Sequence, residues 1–318
     1  MFEFAIVAQI LWTSLATTSY LVLFAVAFAL VLKVNGIFNF TQAAIMTAAF
    51  YAAYSCVQIL KLPGWVGCLG GLAAALALSW IVETFGFAVL RRKRASTLFI
   101  FIFTFIVSQF VSYLAALIFG TWSYTIFPSM FWDVTLIGSI VVSDWDLPAM
   151  GAALIAVAAL FAFLRFTRQG QFMIAVSDNR DLAQFYGIEV RKTLLVTILI
   201  AGALAALGMF LFGTRTQVQP RTTMELMLFA AVASIIGGIG NLAGAAIAAI
   251  CLGIIQNASI LVIPSAWQSF LLYVFLFVTI IFFPRGLRLP ERVRVAGSAT
   301  RTLPQAKPLG KPVVKGGG

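Results

Sequence analysis

The chain has 318 residues, 62% of them hydrophobic and 10% charged, against roughly 45–50% and about 25% in an average soluble domain. That balance excludes an ordinary soluble enzyme, a disordered chain and a fibrous repeat, and it makes the bilayer the solvent that such a surface fits. Lys and Arg number 21 against 10 Asp and Glu, a net charge of +11, but the basic residues sit in short clusters between apolar stretches. This is the pattern of cytoplasmic loops and not of a nucleic-acid-binding face.

Histidine is absent, which removes Ser-His-Asp and Cys-His catalysis, His-ligated zinc and imidazole proton relays. No catalytic residue, metal or cofactor is expected, and the protein is not read as an enzyme. Cys56, Cys68 and Cys251 have no CxxC spacing and are expected to be small buried hydrophobes.

In chain order, stretches long enough to cross the hydrocarbon core, about 20 residues, lie near 10–32, 37–60, 62–90, 97–119, 149–164 and 193–213. A further apolar block at 225–283 is interrupted by Gly237-Gly238-Ile239-Gly240-Asn241 and by Ile263-Pro264-Ser265. No Lys or Arg precedes Lys33, and the basic n-region and cleavage site of a secretory signal peptide are lacking, so the N-terminus is expected outside. Arg91-Arg92-Lys93-Arg94 then falls inside, the acidic loop 120–148 outside, and the loop 165–192, with Arg165, Arg168, Arg180, Arg191 and Lys192, inside.

This assignment puts 18 of the 21 basic residues inside and leaves Lys61, Arg215 and Arg221 outside. The C-terminus must also lie inside, so 225–283 contains an odd number of crossings. Either 225–240, 242–257 and 266–283 all cross, or 225–257 is a re-entrant or broken hairpin. The expected fold is all-α: a polytopic transmembrane helical bundle with about 8–9 membrane segments, a glycine-broken region at 225–257, the N-terminus outside and the C-terminus cytoplasmic. Residues 1–290 form the membrane domain. A basic, Pro- and Gly-rich tail at 291–318 is expected to be disordered.

Within the loop 165–192, Ser177-Asp178-Asn179-Arg180-Asp181 reads as a helix start with Ser177 or Asp178 as N-cap, and Gly187 as the residue that ends the helix. The result is a short amphipathic helix displaying Phe172, Met173, Leu182, Phe185 and Tyr186. It is either a connector lying on the protein's own surface or a docking knob for a cytoplasmic partner.

Polar residues at membrane depth form a second group: Asn39, Thr41 and Gln42 after Gly36, then Ser108 and Gln109, then Asn241. Amides there serve as helix-helix glue or line a water-filled path. Gly67 with Gly71, and Gly240 with Gly244, have the spacing of close helix packing. Glu83 reads as a charge paired locally with Arg91, and Glu225 as either a helix-end carboxylate or part of an outer vestibule. Neither a GxxxxGK[ST] phosphate loop nor a series of intramembrane acids is present, so active transport would draw its energy from a partner.

Five segments together suggest a family: Gly36-Ile37-Phe38-Asn39-Phe40-Thr41-Gln42, Leu90-Arg91-Arg92, Ala183 to Gly187-Ile188-Glu189-Val190, Gly237-Gly238-Ile239-Gly240-Asn241-Leu242-Ala243-Gly244-Ala245, and Phe283-Pro284-Arg285-Gly286-Leu287. Over residues 5–290 the chain resembles the integral-membrane permease subunits of ATP-binding-cassette importers for branched-chain amino acids, a family that includes urea and short-amide importers. Ala43-Ala44 departs from the glycine and glutamate that many members carry after the polar pair.

The resemblance implies a multi-pass protein of the plasma (bacterial inner) membrane, in contact with membrane lipid. Its implied partners are a second permease, identical or different, cytoplasmic ATP-binding subunits, and an extracytoplasmic solute-binding protein. It implies that Ser177, Asp178, Asn179, Arg180, Ala183 and Gly187 couple to the ATPase, and that Asn39, Gln42, Gln109, Gly237, Gly238 and Asn241 lie along the substrate path. Branched-chain or other hydrophobic amino acids are the implied solutes, urea or short amides the alternative. A stand-alone secondary transporter or channel is the competing reading.

Overall fold

The computed structural model describes residues 2–127, 134–137, 140–259, 261, 264 and 267–282. The expected tail at 291–318 and the segment 283–287 lie outside the described residues, as does part of the loop 120–148. Twelve helices and one hairpin are described: α1 (Phe2–Asn35), α2 (Thr41–Tyr54), α3 (Gly64–Ile81), α4 (Ala88–Arg92), α5 (Thr97–Phe119), β1 (Val134–Ile137), β2 (Ile140–Ser143), α6 (Asp146–Phe166), α7 (Arg168–Asp178), α8 (Arg180–Phe185), α9 (Val190–Arg215), α10 (Thr222–Ile236), α11 (Leu242–Ser259) and α12 (Gln268–Phe282). Among the described residues, six helices are long and apolar enough to cross a membrane: Val7–Asn35, Gly64–Arg92, Thr97–Phe119, Asp146–Phe166, Val190–Arg215 and Leu242–Ser259. The chain is thus a polytopic helical bundle. The hairpin β1–β2 is an addition to the all-α expectation, formed where Val134, Thr135, Ile137, Ile140, Val141 and Val142 concentrate β-branched side chains.

α1 is apolar all round, and a helix of that kind has to be covered on every side. Every residue from Tyr20 to Leu32 is buried, packed by α6, α9, α10 and α11. α2 lies against α3, α5 and α9. Small residues allow that approach: a Cβ on Gly71 would fall 2.7 Å from the Ala49 carbonyl oxygen, so the Gly67/Gly71 pair is a packing seam. α3 and α5 turn large apolar side chains outward, Leu69, Trp80, Ile106, Phe110 and Leu117 among them, as a lipid-facing surface requires. The cysteines do not lie in the core: Cys56, which packs over Gly70 of α3, and Cys68 are half-buried, and Cys251 is exposed.

The bundle has two chemically distinct ends. At one, Gln9 of α1 exchanges hydrogen bonds with Val141 of the hairpin (Nε2 to O, 3.1 Å; N to Oε1, 2.7 Å), and Trp12 Nε1 donates to Asp146 at 3.1 Å. Asp146 also pairs with Arg215, so α1, α6 and α9 are tied together at this hairpin end. At the other, basic end lie Lys33, Arg91 to Arg94, α7 and α8. Glu83 pairs there with Arg91, a buried carboxylate answered by a half-buried guanidinium. The helix around Glu83 widens into a π-helical turn over Val82–Phe87.

The glycine break is the tip of the α10–α11 hairpin. Gly238 (φ +97°) and Gly240 (φ +86°) take left-handed conformations that reverse the chain, and Gly240 lies beside Lys33 at the basic end. Asn241 Oδ1 accepts from Gly244 N at 3.0 Å and caps α11, while Gly244 packs on the backbone of Gly237.

Candidate functional site

The loop at the basic end is built from two short helices. Thr167 opens α7, its hydroxyl accepting from Gly170 N at 3.0 Å. The expected single helix starting at Ser177 or Asp178 is replaced by a break at Asn179. Ser177 is still helical, its hydroxyl donating back to Ile174 O at 2.7 Å. Asn179 takes extended backbone angles, and its Oδ1 accepts from Leu182 N at 2.9 Å to cap α8. Gly187, at φ +83°, ends α8 as expected: its N–H bonds Gln184 O and Ile188 N bonds Ala183 O, both at 3.0 Å, the paired bonds of a Schellman motif.

The two helices sort their residues by face. Met173, Val176 and Ala183 are buried against the bundle, while Ile174, Leu182, Phe185 and Tyr186 stand out, Phe185 being 86% exposed. Phe172 is half-buried. Arg180 is an exposed residue whose guanidinium turns back to the bundle. Its guanidinium donates to the carbonyls of Asn35 and of Val34, the latter at 3.2 Å, at the C-terminus of α1 where the helix dipole is negative. Burial, with the nearby Arg91 charge, lowers the Arg180 pKa from its ordinary value. The side chain also sits at contact distance from Gly36, whose φ of +64° turns the chain toward α2.

The residues expected along a path fall into three places. Asn39 and Gln42 are buried at the start of α2, where Asn39 Oδ1 accepts from both the backbone N–H and the hydroxyl of Thr41. Gln42 Nε2 reaches the carbonyl of Phe24 at 3.5 Å. Gln109 lines a cavity of about 340 Å³ at the hairpin end with Tyr113, Thr121 and Arg221. Gly237, Gly238 and Asn241 form the hairpin tip at the basic end, and there Asn241 and Ser177 line one cavity of about 390 Å³ together with Lys33 and Met173. The structure therefore joins the glycine segment to the α7–α8 loop.

A fourth place was only half legible. Glu225, with Thr17, Thr222, Gln256, Asn257 and Tyr273, lines a cavity of about 300 Å³ between α1, α9, α10, α11 and α12. Sequence reasoning weighed Glu225 alone and missed Gln256 and Asn257; two adjacent amides at the end of an apolar helix were the available signal.

Two kinds of comparison bear on what the whole arrangement is. A family model described as "Branched-chain amino acid transport system / permease component" matches residues 10–280. The chain is similar to the high-affinity branched-chain amino acid transport system permease protein LivH of Escherichia coli, at 23% identity over 90% of this chain and 96% of that protein. It is similar to the BraD permease protein of the corresponding Pseudomonas aeruginosa system, at 22% over 88% and 94%. Among solved structures, PsaBC from Streptococcus pneumoniae in complex with Fab contains a chain of like fold, with a TM-score of 0.51 and 16% identity over 89% of this chain and 97% of that one.

Proposed function

Because the chain belongs to the family of permease components of branched-chain amino acid transport systems, we propose that it is the membrane-spanning subunit of an ATP-driven importer for branched-chain or other hydrophobic amino acids. It is a multi-pass plasma-membrane protein of the importer-permease class, and LivH and BraD are named as permeases of branched-chain amino acid transport systems. The observation that carries the coupled reading is the loop at the basic end. It holds an exposed apolar knob, Leu182, Phe185 and Tyr186, on a frame pinned to the bundle by buried Met173, Val176 and Ala183.

In this reading α8 seats in a cytoplasmic ATP-binding subunit, as short amphipathic helices seat in grooves. Arg180 carries the movement of α8 to the end of α1 and to the Gly36–Gln42 turn, and Asn241 carries it to the α10–α11 tip through the shared cavity. Ser177, Asp178, Asn179 and Gly187 shape the loop. Closure and opening of the ATPase pair then bias two packings of the bundle.

The basic end faces the cytoplasm and the hairpin end faces outward, where a solute-binding protein delivers the solute. Nine crossings fit that orientation: the six long helices, α2 with its π-helical extension, α10, and α12. A second permease completes the complex. The test is affinity purification from membranes. Co-purification of a P-loop ATPase that is lost in Phe185→Ala/Tyr186→Ala, with the variant still inserted, supports the reading; retention of the ATPase by that variant contradicts it.

A further inference from the structure

The geometry points to the cavity lined by Glu225, Gln256 and Asn257 as a chamber for the charged head of a small zwitterion, with Glu225 receiving its ammonium group. The inference deepens the importer reading and rests on it for the class of solute.

The first argument is charge. Among the described side chains, the apolar helices of the bundle hold three carboxylates. Glu83 is answered by Arg91 and Asp146 by Arg215, but Glu225 has neither an ion pair nor a hydrogen bond and faces the cavity. Neither of the two nearest arginines in sequence answers it: Arg215 pairs with Asp146, and Arg221 lines the separate cavity beside Gln109. Glu225 is exposed in the first turn of α10 and borders the cavity, so its carboxylate is open to a cation that enters and leaves.

The second argument is the complement of donors and acceptors. Asn257 Nδ2 is spent on Thr17 Oγ1 and Gly253 O, both at 3.0 Å, so its remaining polar atom is the carbonyl oxygen, an acceptor beside Glu225. Thr222 Oγ1 accepts from Gln219 N at 3.1 Å, which leaves its proton to donate. With the Gln256 amide it gives the cavity donors for a carboxylate. Phe212 and Phe229 make the apolar wall. Acceptors for an ammonium, donors for a carboxylate and aromatic surface in about 300 Å³ match a small apolar amino acid better than a bare metal cation or an amine.

The third is depth. Thr17 lies eight residues below Gln9, which touches the hairpin, so the chamber sits about 12 Å along α1 from that end. Below it, α1 is buried around Phe24 and Phe28, so the chamber does not continue along that helix toward the basic end.

The test uses the complex purified from membranes and reconstituted in liposomes, with Cys56, Cys68 and Cys251 replaced by Ala and Leu228, on the cavity wall, replaced by Cys. Labelling by a membrane-impermeant thiol reagent from the hairpin side is followed against a concentration series of L-leucine, of 4-methylpentanoate, which lacks the ammonium, and of 3-methylbutylamine, which lacks the carboxylate. L-Leucine is expected to slow labelling. Glu225→Gln should raise the half-protecting concentration about tenfold or more, the scale of a lost charge-assisted hydrogen bond, Glu225→Asp should recover part of it, and 4-methylpentanoate should not protect.

A wall cysteine that never labels, protection that is equal in Glu225→Gln, or equal protection by 4-methylpentanoate would each overturn the assignment. Labelling needs no ATP, so the two readings fail separately. A complex that imports leucine on ATP with Glu225→Gln unimpaired contradicts the chamber alone, whereas leucine protection in a chain that binds no ATPase contradicts the importer reading alone.

Discussion

Arg180 illustrates how one residue can have a role its sequence context misassigns. In a polar run at the start of a loop helix it reads as a surface contact for a partner; in the structure it holds the carbonyls of Val34 and Asn35. Hydrogen bonds from charged donors contribute roughly 1.5–3 kcal/mol each, and these two join the loop to the end of the central helix. Arg180→Ala should therefore leave the ATPase bound and hydrolysing while solute uptake falls about tenfold or more. Arg180→Lys should recover only part, since both bonds come from one terminal guanidinium nitrogen and the lysine stem is one atom shorter. Loss of ATPase binding in Arg180→Ala would instead make it a docking residue.

Glu83 and Arg91 offer a second residue-scale test. Glu83→Ala strands a half-buried guanidinium in apolar surroundings, whereas Glu83→Leu with Arg91→Leu removes both charges. The single variant should unfold earlier in detergent by about 2 kcal/mol and the double by less than half of that, because removing one partner of a buried pair costs more than replacing both. Equal losses would mean that packing around Glu83, and not its charge, is what matters.

At the scale of elements, the α10–α11 hairpin depends on glycines for two different reasons. Gly238 and Gly240 supply left-handed angles, and Gly244 lets α11 lie on the backbone of Gly237. Gly240→Ala should cost about 1 kcal/mol through its φ alone. Gly244→Leu should cost several times more by overpacking, seen as loss of folded protein on size-exclusion in detergent; a full yield of monodisperse protein would contradict the close approach.

Most of the helices were legible because a run of about 20 apolar residues admits few readings: the membrane-length helices Val7–Asn35, Gly64–Arg92, Thr97–Phe119, Asp146–Phe166 and Val190–Arg215 fall within a few residues of their expected spans. The end of α8 at Gly187 was legible for the same local reason. The break at Asn179 was not, since Ser177, Asp178 and Asn179 are all good caps, and the choice falls to whichever residue the burial of Met173 and Val176 leaves extended. The hairpin β1–β2 had its signal in β-branched residues, overshadowed by the membrane pattern. Of the chamber around Glu225 only Glu225 itself was legible, because the cavity gathers α1, α9, α10, α11 and α12 across some 250 residues.

Across the whole molecule the positions of the charges and the packing agree. The end that carries Lys33, Arg91 to Arg94 and the α7–α8 loop is opposite the end that carries the hairpin, Arg215 and Arg221. Single cysteines placed at Thr135 and at Asp181 in a cysteine-free background should therefore label from opposite sides, the first in intact cells and the second only after permeabilisation. The reverse pattern would invert the proposed orientation, and labelling of both from outside would remove the cytoplasmic site on which coupling depends.

The central claim is that this bundle moves an apolar amino acid only when a bound ATPase drives it. Its most direct measurement is uptake of labelled L-leucine into proteoliposomes holding the purified complex and its solute-binding protein, with and without ATP. Uptake that requires ATP and collapses in Phe185→Ala/Tyr186→Ala is the predicted result. Equal uptake without ATP, from the chain reconstituted alone, would contradict the account and make the protein a stand-alone transporter.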